Sequence, residues 1–157
     1  MIRLLCTVLI LLSGALTITS TSNAAEPSSL MERIAPWRYP GSTSKSASMS
    51  DAATVNASGN RTIQSIQCKT VMTTNDSVAK VVKYYKSKLD SEAADASKPL
   101  AIKSARSVTL HDDSEDRPLA IEMLMINTDT TSTTLVISRG KDEVETHIAW
   151  TQYIKFE

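Results

Sequence analysis

The run Thr74-Asn75-Asp76-Ser77-Val78-Ala79-Lys80-Val81-Val82-Lys83-Tyr84-Tyr85-Lys86-Ser87-Lys88-Leu89 decides the fold class. Val78, Val81, Val82, Tyr85 and Leu89 recur at spacings of three and four, so winding at about 100° per residue gathers them into one stripe. Lys80, Lys83 and Lys86 fall away from it. Thr74, Asn75 and Asp76 are candidate caps, because short oxygen-bearing side chains accept hydrogen bonds from amides that the first turn leaves unpaired. Such a helix must lay its stripe on another element, and the flanking sequence supplies strands. Upstream, residues 61–73 are rich in Ile, Val and Thr and follow Gly59-Asn60, a strand introduced by a turn.

Downstream, Ser91 to Pro99 breaks the periodicity, and Ala101 to Leu110 returns to a strand-like pattern ending in Val108-Thr109-Leu110. The last forty or so residues read as a meander. Leu119, Ile121, Met123 and Met125 alternate on one face with Leu124 and Ile126 on the other, which predicts a central strand buried on both sides. Asp129 to Ser132 offers a turn into Leu135-Val136-Ile137, and Gly140-Lys141-Asp142 a second turn into a strand on which Val144, Ile148, Trp150, Ile154 and Phe156 share a face. The expected fold is α+β: a single two-layer domain with a four- to five-stranded, largely antiparallel sheet and one main helix on one face.

The organisation expected ahead of that domain has three parts. Residues 1–25 read as a cleavable export signal: Arg3 is a short positive region, Leu4 to Ile18 an apolar stretch too short to cross a bilayer, and Ser22-Asn23-Ala24-Ala25 a small-residue cleavage site. Residues 26–41 form an N-terminal segment in which Ser29-Leu30-Met31-Glu32 has the form of a capping box, Pro36 curtails the helix, and Pro40-Gly41 turns the chain. Residues 42–58, rich in Ser, Ala, Thr and Asn without an apolar period, read as a flexible polar linker, leaving 59–157 as the α+β domain. The expected location is secreted or periplasmic, with no membrane span in the mature chain.

The whole sequence holds 17 basic and 17 acidic residues, and loss of Arg3 with the signal leaves a net charge of −1. Broad capture of nucleic acid or anionic membrane is not expected from such a balance. Aromatic residues are only 4% of the chain, so aliphatic and Met side chains must fill most of the core. Loss of Cys6 with the signal leaves Cys68 alone. A buried apolar role is the main reading for its thiol, with an intermolecular disulfide or a reactive thiol as alternatives.

Candidate chemistry is sparse. Asp112, Ser114 and Asp116 have the alternating oxygen spacing that opens a calcium loop, but the required Gly and closing Glu are missing, so the stretch reads as an acidic solvent loop. His111 and His147 lack the paired spacing of a zinc site. No Gly-x-Ser-x-Gly elbow, His-Glu-x-x-His or phosphate-binding Gly-rich loop is present, and no cofactor is implied. Lys80, Lys83, Lys86 and Lys88 read as a solvated helix face. Asn56, Asn60 and Asn75 open formal glycosylation sequons. Trp37-Arg38-Tyr39 before Pro40-Gly41 is the most unusual cluster. Its rings either staple the N-terminal segment to the domain or, as the candidate binding residues Trp37, Arg38 and Tyr39, meet a partner.

Trp37-x-Tyr39-Pro40-Gly41, followed by Thr74-x-Asp76 opening a helix with Tyr84-Tyr85-x-x-x-Leu89, resembles short exported bacterial proteins of uncharacterised function. That resemblance implies no activity and no site. The expected function is a non-catalytic interaction module for an extracellular or periplasmic protein or surface component. The alternative is a small-ligand-binding protein or small enzyme whose site is assembled only in three dimensions.

Overall fold

The computed structural model describes residues 29–94 and 107–156. Helix α1 (Leu30–Ile34) opens with the expected capping box: Glu32 N–H donates to Ser29 Oγ, and Ser29 N–H to Glu32 Oε2. A single 3-10 turn, Ala35–Trp37, ends it with Pro36 in its first positions. Tyr39-Pro40-Gly41-Ser42 then reverses the chain, Ser42 N–H donating to the Tyr39 carbonyl at 3.1 Å and Gly41 taking φ 73°. Pro second and a left-handed Gly third are what a type II turn demands.

The turn launches β1 (Thr43–Asp51), followed by a small hairpin of β2 (Thr54–Val55) and β3 (Arg61–Ile63) and then β4 (Ser65–Thr74). Residues 42–58, expected as a linker, therefore carry two strands. β1 runs antiparallel along β4 with a bulge at Lys45, all nine of its residues exposed. An edge strand is held by backbone pairing to its neighbour, so it needs no apolar period, and its Ser and Ala side chains carry none. The strand expected over 61–73 is also split, Gln64 separating β3 from β4.

Helix α2 (Val78–Ala94) is capped by Ser77, whose Oγ accepts from Lys80 N–H, and not by the three residues before it. Strands β5 (Ser107–Asp112), β6 (Leu119–Asn127), β7 (Thr131–Gly140) and β8 (Thr146–Lys155) complete one six-stranded antiparallel sheet in the order β1-β4-β8-β7-β6-β5. The sheet thus exceeds the four to five strands expected, and its α+β class is as read. Long-range pairing of β4 with β8, from Ser65 opposite Lys155 to Thr74 opposite Thr146, joins the two halves of the chain.

The α2 stripe Val78, Val81, Val82, Tyr85 and Leu89 is buried in one cluster with Cys68 and Met72 of β4, Leu124 and Ile126 of β6, Leu135 and Ile137 of β7, and Ile148 and Trp150 of β8. Register places Leu124, Leu135, Trp150 and Thr70 side by side, so these strands turn one common face to the core. β6 is not buried on both sides: Ile121, Met123 and Met125 of its other face are only partly covered, and β6 lies next to the edge strand β5. Val144 and Phe156 fall outside β8 and are exposed. Among the described residues, no helix is long and apolar enough to cross a membrane. Residues 1–25, expected as an export signal, and residues 101–106 lie outside the described residues.

Candidate functional site

The cluster Trp37-Arg38-Tyr39 was the leading candidate, and the fold places its two rings in the core. Trp37 and Tyr39 are 3% and 4% exposed. Trp37 packs 6.5 Å from Trp150, its carbonyl accepts from Tyr85 Oη at 2.7 Å, and Tyr39 meets Tyr84 edge to face at 5.1 Å. Tyr39 Oη donates to Asp76 Oδ2 at 2.7 Å, tying the N-terminal segment to the start of α2. Of the two roles the sequence leaves open for these rings, their burial matches the staple of the N-terminal segment to the domain, because a large ring gains most by leaving water. Arg38 alone stays exposed, one guanidinium nitrogen donating to the Ser42 carbonyl at 3.3 Å.

The remaining sequence candidates also find ordinary partners. In the acidic loop Ser114 N–H donates to Asp112 Oδ1, Ser114 Oγ accepts from Ile121 N–H, and Arg117 pairs with Asp113 at 2.7 Å. No group of three or more His, Cys, Asp or Glu side chains is placed to hold a metal among the described residues. His111 on β5 and His147 on β8 stand three strands apart, about 14 Å at ordinary strand spacing, too far to share an ion. Each has a carboxylate 3.8 Å away, Asp113 and Glu143 respectively. Cys68 is fully buried, and burial raises its thiol pKa against a smaller opposing effect of Arg33. Asn56 holds the β2–β3 turn, its Oδ1 accepting from Ser58 and Asn60 N–H at 3.0 Å.

What the fold assembles instead is a solvent-open cleft of about 600 Å³ at one end of the sheet. Three segments distant in sequence line it: the first turn of α2 at Ser77–Ala79, the β5–β6 loop at Ser114 and Arg117–Ala120, and the β7–β8 turn at Arg139–Lys141 with Glu143. Lys141 N–H donates to the Pro118 carbonyl at 3.2 Å, clamping the two loops together. Thr146 Oγ1 donates to the Asp76 carbonyl at 2.6 Å, fixing α2 against β8.

The β7–β8 turn is pre-ordered around Glu143. Its N–H donates to the Gly140 carbonyl, its carboxylate accepts from Gly140 N–H at 2.7 Å, and its own carbonyl accepts from Arg139 Nε at 2.8 Å. Gly140 suits this arrangement, since a Cβ there would stand 3.1 Å from the Glu143 carboxyl carbon. The wall thus carries Arg117, Arg139, Lys141 and the carboxylate Glu143, with Arg117 held by Asp113 just outside the lining and the positive end of the α2 dipole alongside. The Arg139 guanidinium, anchored through Nε, offers planar, forked donors of the kind that match carboxylate or phosphate oxygens.

In the sequence Lys141 stands out only as part of the Gly140-Lys141-Asp142 turn, and Arg117 and Arg139 carry no signal of their own. No local spacing marks them, because hairpin closure and the clamp between loops bring them together. Comparison with protein-family models, with curated proteins and with solved structures gives no match to this chain.

Proposed function

We propose that the chain is an exported, non-catalytic interaction module, a two-layer α+β domain that seats an acidic group of its partner in the cleft between Arg117, Arg139 and Lys141. The observation that carries this reading is that Arg139 and Lys141, beside an Arg117 already paired with Asp113, line a cleft with one carboxylate, Glu143, and that the cleft's loops are already tied together. Preorganised donors lose little freedom when an anion arrives, so the attraction is retained as affinity. The partner class that fits is an extracellular or periplasmic protein or surface component bearing carboxylates or phosphates.

Calorimetric titration with a tri-glutamate peptide and with inorganic phosphate tests it. Peptide binding should weaken about tenfold in an Arg139→Ala, Lys141→Ala double variant, fall with added salt, and be unchanged in Lys83→Ala. Equal binding by all three proteins would sink the cleft. Binding of phosphate but not of the peptide would favour the second reading, a small-anion carrier, which the cleft's volume also suits.

A further inference from the structure

We infer that the free edge of β1 is a self-association surface on which a second copy of this chain adds its own β1, antiparallel, in the register that sets Lys45 opposite Asp51. The inference stands on the edge itself and is independent of the cationic cleft.

Among the described residues β1 is the terminal strand of the sheet, and each of its residues is exposed. Its inner side is accounted for. Ala52 N–H donates to the Ser65 carbonyl, Ser65 Oγ to the Ala52 carbonyl, and Thr70 Oγ1 to the Ser46 carbonyl. Because backbone groups alternate in direction along an antiparallel strand, the N–H and C=O of Ala47, Met49 and Asp51 then point away from β4, toward the open side. Isolated sheets guard such edges with bulges and charged side chains. Here the bulge and Lys45 protect only the start of the strand. From Ser46 to Asp51 the register with β4 is unbroken, the side chains other than Met49 and Asp51 are Ser or Ala, and no proline intervenes.

The strand is complementary to itself. Two copies related by a two-fold axis through Ser48 place Ala47 of one against Met49 of the other, both with outward-facing amides, so the new ladder has donors and acceptors in step. Met49, 40% exposed in the single chain, then gains a neighbour on its own face of the sheet. The same register puts Lys45 opposite Asp51 twice, once on each side of the axis. Moving the pairing two residues either way keeps the backbone groups in step but removes both charge pairs, so the charges select this register. Lys45 already lies 3.8 Å from Glu145, and Asp51 pairs with Arg61. Across the junction these groups would continue as Glu145, Lys45, Asp51 and Arg61, alternating in sign. The opposite edge offers no such match, since β5 contains no Lys or Arg. A single edge-to-edge ladder buries little surface, so association should be reversible and depend on concentration.

Sedimentation velocity of the purified protein from about 10 µM to about 1 mM tests this, with a monomer–dimer equilibrium expected in that range. Lys45→Glu leaves only acidic groups at the two positions and Asp51→Lys only basic ones. Each alone should raise the dimer dissociation constant by about tenfold or more. An equimolar mixture of the two should dimerise again, since every facing pair becomes opposite in sign, and this recovery shows that both variants are folded. Met49→Pro removes an outward N–H without touching the β4 ladder and should abolish the dimer. A wild-type protein monomeric at the highest concentration, charge variants that dimerise as well as wild type, a mixture that does not recover, or a Met49→Pro protein that still dimerises would each overturn the proposal.

Discussion

Asp76 shows how one side chain links otherwise separate parts. Its carboxylate accepts from Lys80 Nζ at 2.8 Å and from Tyr39 Oη at 2.7 Å, and its carbonyl from Thr146. The bond from Lys80, then that from Tyr39, hold its pKa below the ordinary aspartate value despite slight desolvation. A carboxyl whose folded pKa is depressed contributes stability that is present above the unfolded pKa, about 4, and is lost as pH falls through the folded value. The stability difference between wild type and Asp76→Asn should therefore be full at pH 7 and shrink below about pH 4, as read from denaturant midpoints across pH. A difference that does not vary with pH would mean that the carboxylate's charge is immaterial. Tyr39 responds in the opposite sense: burial first, then the bond to Asp76, push its phenol up to about 12, so the stability from the neutral ring is full below the unfolded pKa, about 10, and is lost as pH rises from there through the folded value.

At the scale of elements, legibility followed the source of each element's stability. α2 was readable because its stripe must repeat every three to four residues to meet the sheet, and those residues are the buried ones. Its start was misread by one to three residues, since Thr74, Asn75, Asp76 and Ser77 are all competent caps and only tertiary placement selects Ser77. Ser77→Ala should lower stability by about 1 kcal/mol, whereas Asn75→Ala, at an exposed position outside the helix, should change it by less than about 0.5 kcal/mol. Urea midpoints of the two variants check the contrast, and equal shifts would return the cap to the earlier residues. β1 was unreadable for a complementary reason: Ser and Ala on an exposed edge leave no pattern, and the strand exists because β4 presents a ladder to it.

For the molecule as a whole, stability rests on one cluster in which the N-terminal segment, α2 and four strands meet at Trp150 and Tyr85, both fully buried. Trp150→Ala should cost about 3–5 kcal/mol and Lys83→Ala less than about 0.5 kcal/mol. Trp150→Phe should cost less than the alanine change, because the indole Nε1 has no hydrogen-bond partner among the described residues to lose. Chemical denaturation of the three variants checks this, and an equal loss for Phe and Ala would mean that the indole's second ring supplies the packing. The amino-acid order by itself determined the α+β class, the helix stripe, the capping box and the strands β4, β6, β7 and β8. Each of these carries a local repeat or turn chemistry that physics reads over a few residues. Only the tertiary structure decided that Trp37 and Tyr39 turn inward, that residues 43–51 become a strand, and that Arg117, Arg139 and Lys141 share a cleft. Burial of a ring, pairing of an edge and convergence of charges from separate hairpins depend on neighbours distant along the chain, and the local residue pattern does not contain them.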